Sequence, residues 1–368
     1  MAMASRAAAR RLAGQRVLHL EVGQPATPAP ATAIAAVRAA LEHPLGYTEA
    51  PGRADLRARI ARWYAERDGV EVDPDAVLIT AGASGGFTLA FLALIDEGAR
   101  IGMVEPGYPC YRNTVVALGG VPVPITVGAD SRFSPTVELL DAAGPLSALV
   151  VASPSNPTGT VLDDRQLATI AHWCRERGTA LIVDEIYHGI TYGRPVRTVL
   201  AVAPEAMVVN SFSKYFSMTG WRIGWVVVPP FLAGAVERLQ QNVFICAPHV
   251  SQIAALGAFD GVAELDGHVR RYATHRATLI EGLAGAGIDR IADADGAFYV
   301  YADVSHLTER FPDGSLGLCN AWLDELGVAA TPGIDFDLAR GDRFVRFSYA
   351  GDAVEIGQAC ELLAGWRP

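Results

Sequence analysis

Four short apolar runs, Val77–Thr80, Ala148–Ala152, Leu181–Val183 and Met207–Val209, each give way to polar or Gly/Pro residues. None of them alternates apolar with polar positions, as expected of strands covered on both faces. Between them, Asp164–Arg177 carries Leu167, Ile170, Ala171 and Cys174 at helical spacing and stops at Gly178. Such runs, separated by helices, predict an α/β fold built on a mostly parallel sheet covered by helices. Ligands in such sheets sit beyond the carboxyl ends of the strands. From about Ala263 the pattern changes. A helical stretch, Val269–Leu283, runs into Gly285 and Gly287, followed by Phe298–Val304, a helix around Leu316–Glu325 and the strand-like Arg343–Tyr349. These predict a smaller α+β domain, with the proline-rich stretch Leu20–Pro30 as a connecting arm. The expected partition is residues 1–45 as arm and part of the small domain, 46–262 as the large domain, and 263–368 as the small C-terminal domain.

The length of 368 residues suits two domains, and 51% hydrophobic with 19% charged residues suits a large buried interior. A net charge of -10, with no Lys/Arg block, argues against nucleic acid or an anionic membrane as partner. The apolar runs Phe87–Ile95 and Trp225–Val236 are too short or proline-broken to span a bilayer. Five scattered cysteines without a CxxC pair predict a reduced, cytoplasmic protein with neither a disulfide framework nor a zinc site. The first fourteen residues lack the apolar core of a secretory signal; their Ala/Arg-rich, acid-free composition leaves a transit peptide open.

Among 30 basic residues only Lys214 is lysine. Arginine replaces lysine wherever a solvated charge suffices, but it cannot replace an amine that must lose its proton and attack a carbonyl. The surroundings of Lys214 fit that chemistry. The strand-like runs deliver to one edge the glycine-rich helix start Gly82–Gly86, the turn Ser153–Gly159 with Asn156, the pair Asp184 and Tyr187, and the stretch Ser211–Gly224 with Ser213, Lys214 and Arg222. Free N–H groups at a helix start seat a phosphate, which Ser84, Ser211, Ser213 and Arg222 could complete. Asp184 could pair with a protonated pyridine nitrogen, and Tyr187 and Asn156 with a ring hydroxylate. Each fragment alone is commonplace; the set, in this order around the sole lysine, is not.

At these residues the chain resembles the class I/II aminotransferases, fold-type I enzymes dependent on pyridoxal 5′-phosphate. The resemblance rests on Tyr47–Arg57 (YTEAPGRADLR), Gly82–Ser84, Glu105–Pro109 (EPGYP), Ser153–Gly159 (SPSNPTG), Asp184–Tyr187 (DEIY), Ser211–Gly224 (SFSKYFSMTGWRIG) and Arg346–Ser348 (RFS). It implies that Lys214 is the Schiff-base lysine, Asp184 the pyridinium partner, and Tyr187 and Asn156 the ring-hydroxyl partners. It further implies that Gly82, Ala83 and Ser84 form the phosphate loop, that Tyr108 stacks on the ring, and that Arg346 clamps the substrate α-carboxylate near the backbone of Gly23. Relatives are homodimers in which the residue matching Tyr47 reaches the neighbour's phosphate, so a homodimer is implied. The segment Pro332–Asp337 (PGIDFD) departs from the usual PGxxFG, so the resemblance does not carry over the shape of that loop. A lysine at the position of Ser84, found in some aspartate-specific relatives, is absent.

The expected reaction is a ping-pong transamination between an L-amino acid and a 2-oxo acid, with the freed Lys214 amine as general base at the substrate Cα. The same residues would serve β-elimination, as in a C–S lyase. A non-catalytic pyridoxal-phosphate module of a transcriptional regulator is a more distant reading, disfavoured by the acidic chain. Asp335 could meet a basic substrate side chain or remain a solvated loop acid.

Overall fold

The computed structural model describes residues 2–193 and 196–367. Its strands are β1 (Leu18–His19), β2 (Val77–Thr80), β3 (Arg100–Glu105), β4 (Val121–Thr126), β5 (Ala148–Ala152), β6 (Ala180–Asp184), β7 (Met207–Ser211), β8 (Gly224–Val227), β9 (Tyr299–Asp303), β10 (Val328–Ala329), β11 (Thr331–Pro332) and β12 (Phe344–Ser348). Seven form the main sheet in the order β2-β8-β7-β6-β5-β3-β4, with only β8 running against the rest. Prolines 122 and 124 are tolerated in β4 because it lies at an edge.

The apolar runs lack a polar face because both faces are packed. Ile79, Val151, Val183, Val208 and Trp225 join one core, while Leu78, Val150, Ile182, Val209 and Val226 join another. The first core takes in the helix Asp164–Arg177. That helix starts on a reciprocal cap, Asp163 accepting from Gln166 N at 2.8 Å and donating its own N–H to Gln166 Oε1 at 3.0 Å. It ends at Gly178, as the sequence predicts. The second core takes in the helix Gly82–Leu94. There Gly86 lies so close to the sheet that a Cβ would come within 2.9 Å of Val226 and 3.0 Å of Val209.

A second, antiparallel sheet has the order β11-β12-β9, with Arg346 opposite Thr331 and Tyr301. The arm is fastened to it: β1 pairs with β10, and Leu20 O accepts from Ser348 N at 2.7 Å. This lays Glu21–Gly23 across the base of the small sheet, facing the main one.

Several helices are not marked by the periodicity, among them Ala2–Leu12 and Ala31–Ala40. The residues these two bury, Met3 and Ala7 in the first and Ala33 and Val37 in the second, are too few to mark a period. The helix expected at Val269–Leu283 begins earlier, at Val262, and the one around Leu316–Glu325 is an α-helix, Gly314–Ala321, continued by a wider turn, Trp322–Leu326.

Directly after β6, Glu185 is buried, its Oε1 accepting from Thr198 Oγ1 at 3.0 Å and Val199 N at 2.8 Å. Its Oε2 lies 3.4 Å from His188 Nδ1. Burial pushes the Glu185 carboxyl up to about 8, and burial together with the charge of Arg67 holds His188 well below its usual range. Between the ordinary 4.5 and about 8, the folded chain keeps a proton on Glu185 that the unfolded chain has released, so this contribution is lost as pH rises through 8. His188 acts in the opposite direction, but only below about 6.5. Glu185→Gln, neutral throughout and able to accept the same two bonds, is therefore expected to gain stability over the wild type by about 1 kcal/mol between pH 7 and pH 9. Parallel melting curves for the two proteins across that range would refute this.

Candidate functional site

Because β8 alone is reversed, the carboxyl ends of β2, β5, β6 and β7 share an edge with the amino end of β8. Register fixes the neighbours: Ala152 pairs with Asp184, and Ser211 with Gly224, which in turn pairs with Thr80. A cleft of about 530 Å³ opens between this edge and the small sheet, within the range of ligand sites.

Lys214 lies in the tight turn after β7, its amine partly exposed to the cleft and donating to Gly23 O at 2.6 Å. The rings of Tyr187 and Phe298 are centred 5.7 Å away. Burial, then the positive Arg346, lowers the amine to about 8; Asp184 opposes this and Arg222 adds to it. A lysine so placed has about a tenth of its amine unprotonated at pH 7, far more than an ordinary lysine, and that neutral form is the one that condenses with an aldehyde.

Asp184, at the end of β6, accepts from the Tyr111 hydroxyl through a short bond and from Ile186 N at 3.0 Å. Burial outweighs both bonds and the charge of Lys214, pushing the carboxyl up to about 6. A protonated ring nitrogen brought beside it would hold it ionised.

Gly82 opens the helix after β2 at φ +74°, and a Cβ there would stand 2.6 Å from Arg222 Nη2. No side chain caps that helix, so its first N–H groups remain for an anion. Ala83 and Ser84 line the cleft, with Ser84 exposed into it. Arg222 is anchored by donating to Thr219 O at 3.1 Å, and the Ser211 and Ser213 hydroxyls lie 2.8 Å apart.

Arg346 is buried on β12, donating through Nη2 to Glu21 O at 2.7 Å and Thr331 Oγ1 at 3.2 Å, and through Nη1 to Asn156 Oδ1 at 3.0 Å. It lies 4.4 Å from the Tyr299 ring centre and 4.8 Å from that of Phe336. Its Nε has no partner, and among the described residues no carboxylate pairs with it. A buried guanidinium without a counter-charge is strongly disfavoured unless an anion arrives from outside. Together with the glycine cradle and the lowered amine, this fits a phosphorylated aldehyde cofactor and a carboxylate substrate.

Tyr187 shares a 2.6 Å hydroxyl contact with Tyr299, and burial holds its phenol well above the usual range. Tyr108 stands half-buried in the cleft, edge-on to Tyr111 at 5.6 Å. Tyr47 is not brought into the cleft of its own chain; it is 83% exposed. The departing loop is held by Asp337, which accepts from Ala339 N, Arg340 N and Arg340 Nε at 2.9–3.0 Å. Phe336 O accepts from Gly107 N at 3.0 Å, and Asp335 faces the cleft. Sequence reasoning missed Tyr111, Tyr299, Phe336 and Met3. Tyr111 alone left a signal, one helical turn beyond Tyr108.

The model for the family "Aminotransferase class I and II" matches residues 15–363. A valine–pyruvate aminotransferase of Mycobacterium tuberculosis is 49% identical, over 98% of this chain and 94% of that protein. The crystal structure of an aminotransferase from M. tuberculosis superposes with a TM-score of 0.96 at 48% identity, over 100% of this chain and 95% of that one. Aspartate aminotransferase from Thermus thermophilus with maleate gives 0.92 at 30% identity, over 99% and 95%.

Two substitutions test these placements. Lys214→Ala is expected to abolish the borohydride-reducible cofactor adduct seen by mass spectrometry and to slow amine exchange by roughly 10²–10⁴-fold; an adduct formed elsewhere on the chain would unseat Lys214. Arg346→Ala is expected to raise KM for amino and oxo acids at least about 30-fold, the lower limit for truncating one side of a buried charge pair. Unchanged KM values would remove Arg346 from the substrate site.

Proposed function

The chain belongs to the class I and II aminotransferase family and is a pyridoxal 5′-phosphate-dependent aminotransferase; we propose that it favours amino acids with small, uncharged aliphatic side chains. One observation carries this reading. Three cations of the described chain line the cleft, Lys214, Arg222 and Arg346, and each has a task without the substrate's side chain. A side-chain carboxylate would enter with Asp335 nearby and no cation left for it, a burial costing several kcal/mol. The name of the M. tuberculosis relative, valine–pyruvate aminotransferase, supports the same substrate class.

The roles proposed for the residues follow from their surroundings. Pyridoxal 5′-phosphate, when bound, supplies an aldehyde for amine exchange and a ring that withdraws electrons from the substrate Cα. The Gly82–Ser84 turn, Ser211, Ser213 and Arg222 would hold its phosphate. Asp184, steadied by Tyr111, would keep its ring nitrogen protonated, while Asn156 and Tyr187 would face its hydroxyl and Tyr108 its ring. Arg346 orients the substrate through the α-carboxylate, so that the Cα–H faces Lys214. Lys214 Nζ takes up that proton and gives it back, its lowered proton affinity suiting both directions near neutral pH.

We also propose a homodimer. Tyr47, Leu41 and Leu45 form part of an exposed run, residues 41–47, from which Tyr47 can reach a second copy's phosphate site. The division near residues 45 and 262 is proposed likewise, the second boundary falling at the turn Phe259–Gly261. No described helix is long and apolar enough to cross a membrane, and five unpaired cysteines support a reducing, cytoplasmic setting.

With pyruvate as acceptor, valine is expected to exceed aspartate in kcat/KM by roughly 10²-fold or more, the scale of an unpaired buried charge. Aspartate as the better donor would overturn the substrate reading. Release of pyruvate from a β-substituted amino acid with no oxo acid present would favour β-elimination instead.

A further inference from the structure

One wall of the cleft comes from the N-terminal helix Ala2–Leu12. Met3 and Ala7 lie one turn apart on its inner face, 2% and 0% exposed, and Met3 and Ala4 line the cleft. On another face, Arg6 donates through Nη2 to both carboxylate oxygens of Asp324 at 3.0 Å and through Nη1 to Asn320. Arg10 donates to Asp324 Oδ1 at 3.1 Å and to Asp324 O at 3.3 Å. An 11-residue helix with no acid in its first turn is marginal by itself. Its position therefore depends on burial of Met3 and Ala7 and on the two arginines closed around Asp324, each exposed pair being weak alone.

Three of the four substituents at a substrate Cα are accounted for. The carboxylate goes to Arg346, the amine exchanges at the cofactor, and the hydrogen faces Lys214. The side chain takes the remaining direction, within the same cleft that Met3 lines. Met3 is the one methionine lining the cleft among the described residues, and its flexible thioether can follow the contour of a branched aliphatic group. We propose that Met3 closes the side-chain subsite and sets the preference for branched aliphatic substrates, with the Arg6/Arg10–Asp324 grip holding it in place. This rests on the aliphatic-substrate reading above.

The test uses the holoenzyme and two readouts. The first is kcat/KM for alanine, valine and phenylalanine. The second is binding, by calorimetry, of isovalerate and acetate, unreactive carboxylates with and without the branched group. Met3→Ala is expected to lower kcat/KM for valine and weaken isovalerate binding roughly tenfold, the scale of one lost apolar contact. Alanine turnover and acetate binding should stay within about twofold, and phenylalanine turnover should rise as the wall recedes. Met3→Leu, close in volume, should restore valine to within about threefold. Asp324→Ala should shift the same ratios in the same direction by a smaller factor. Valine and alanine falling together, isovalerate and acetate weakening together, or no change in either ratio would overturn the assignment of Met3. A wild-type enzyme that preferred aspartate would defeat the substrate reading instead, and the isovalerate-to-acetate ratio would still decide on Met3.

Discussion

In a sheet whose other six strands share one direction, β8 runs back, and that reversal brings Arg222, just before its first residue, to the edge where four neighbouring strands finish. The closeness of Gly82 to the Arg222 guanidinium, and of both to Ser211 and Ser213, follows from this topology. With Ser213, Lys214 and Arg222 on the connection that joins β7 to β8, side chains converge from five strand ends. Each is held by a hydrogen-bonded ladder and an apolar core on either face, the stiffness a preorganised site requires.

The second constraint is electrostatic. Lys214, Asp184 and Arg346 all sit where burial penalises charge, and they respond differently. The amine loosens its proton, the carboxyl holds its own more tightly, and the guanidinium, always charged, keeps one N–H without a partner. The site is thus poised for two anions, a phosphate at the helix start and a carboxylate at Arg346, and for a cationic ring beside Asp184. Gly23 links the two halves: its carbonyl accepts from Lys214, and two residues earlier Glu21 accepts from Arg346.

Much of this was legible in the chain itself. The strands at 77–80 and 148–152 and the helix 164–177 showed in the periodicity because their packing is strong and local. Lys214, Asp184, Asn156 and Arg346 showed because their chemistry leaves few substitutes. Tyr299 and Phe336 did not, since an aromatic residue in an apolar strand or loop looks the same whether it supports a core or stacks on a guanidinium. The helix carrying Met3 did not either: Met3 and Ala7 are too few to mark a buried face, and its fastening to Asp324 spans more than 300 positions. The loop departure at Asp337 became intelligible only with Arg340, whose backbone and side chain both bond to it.

The lone lysine has a practical consequence. Amine-directed reagents, which on most proteins scatter over many surface lysines, meet a single ε-amino group here, and it lies on the floor of the cleft rather than on the outer surface. Acylation, biotinylation or coupling to an aldehyde support therefore acts, apart from the chain's α-amine, only at that floor. The extent of such labelling becomes a direct gauge of how much of the protein has its cleft vacant.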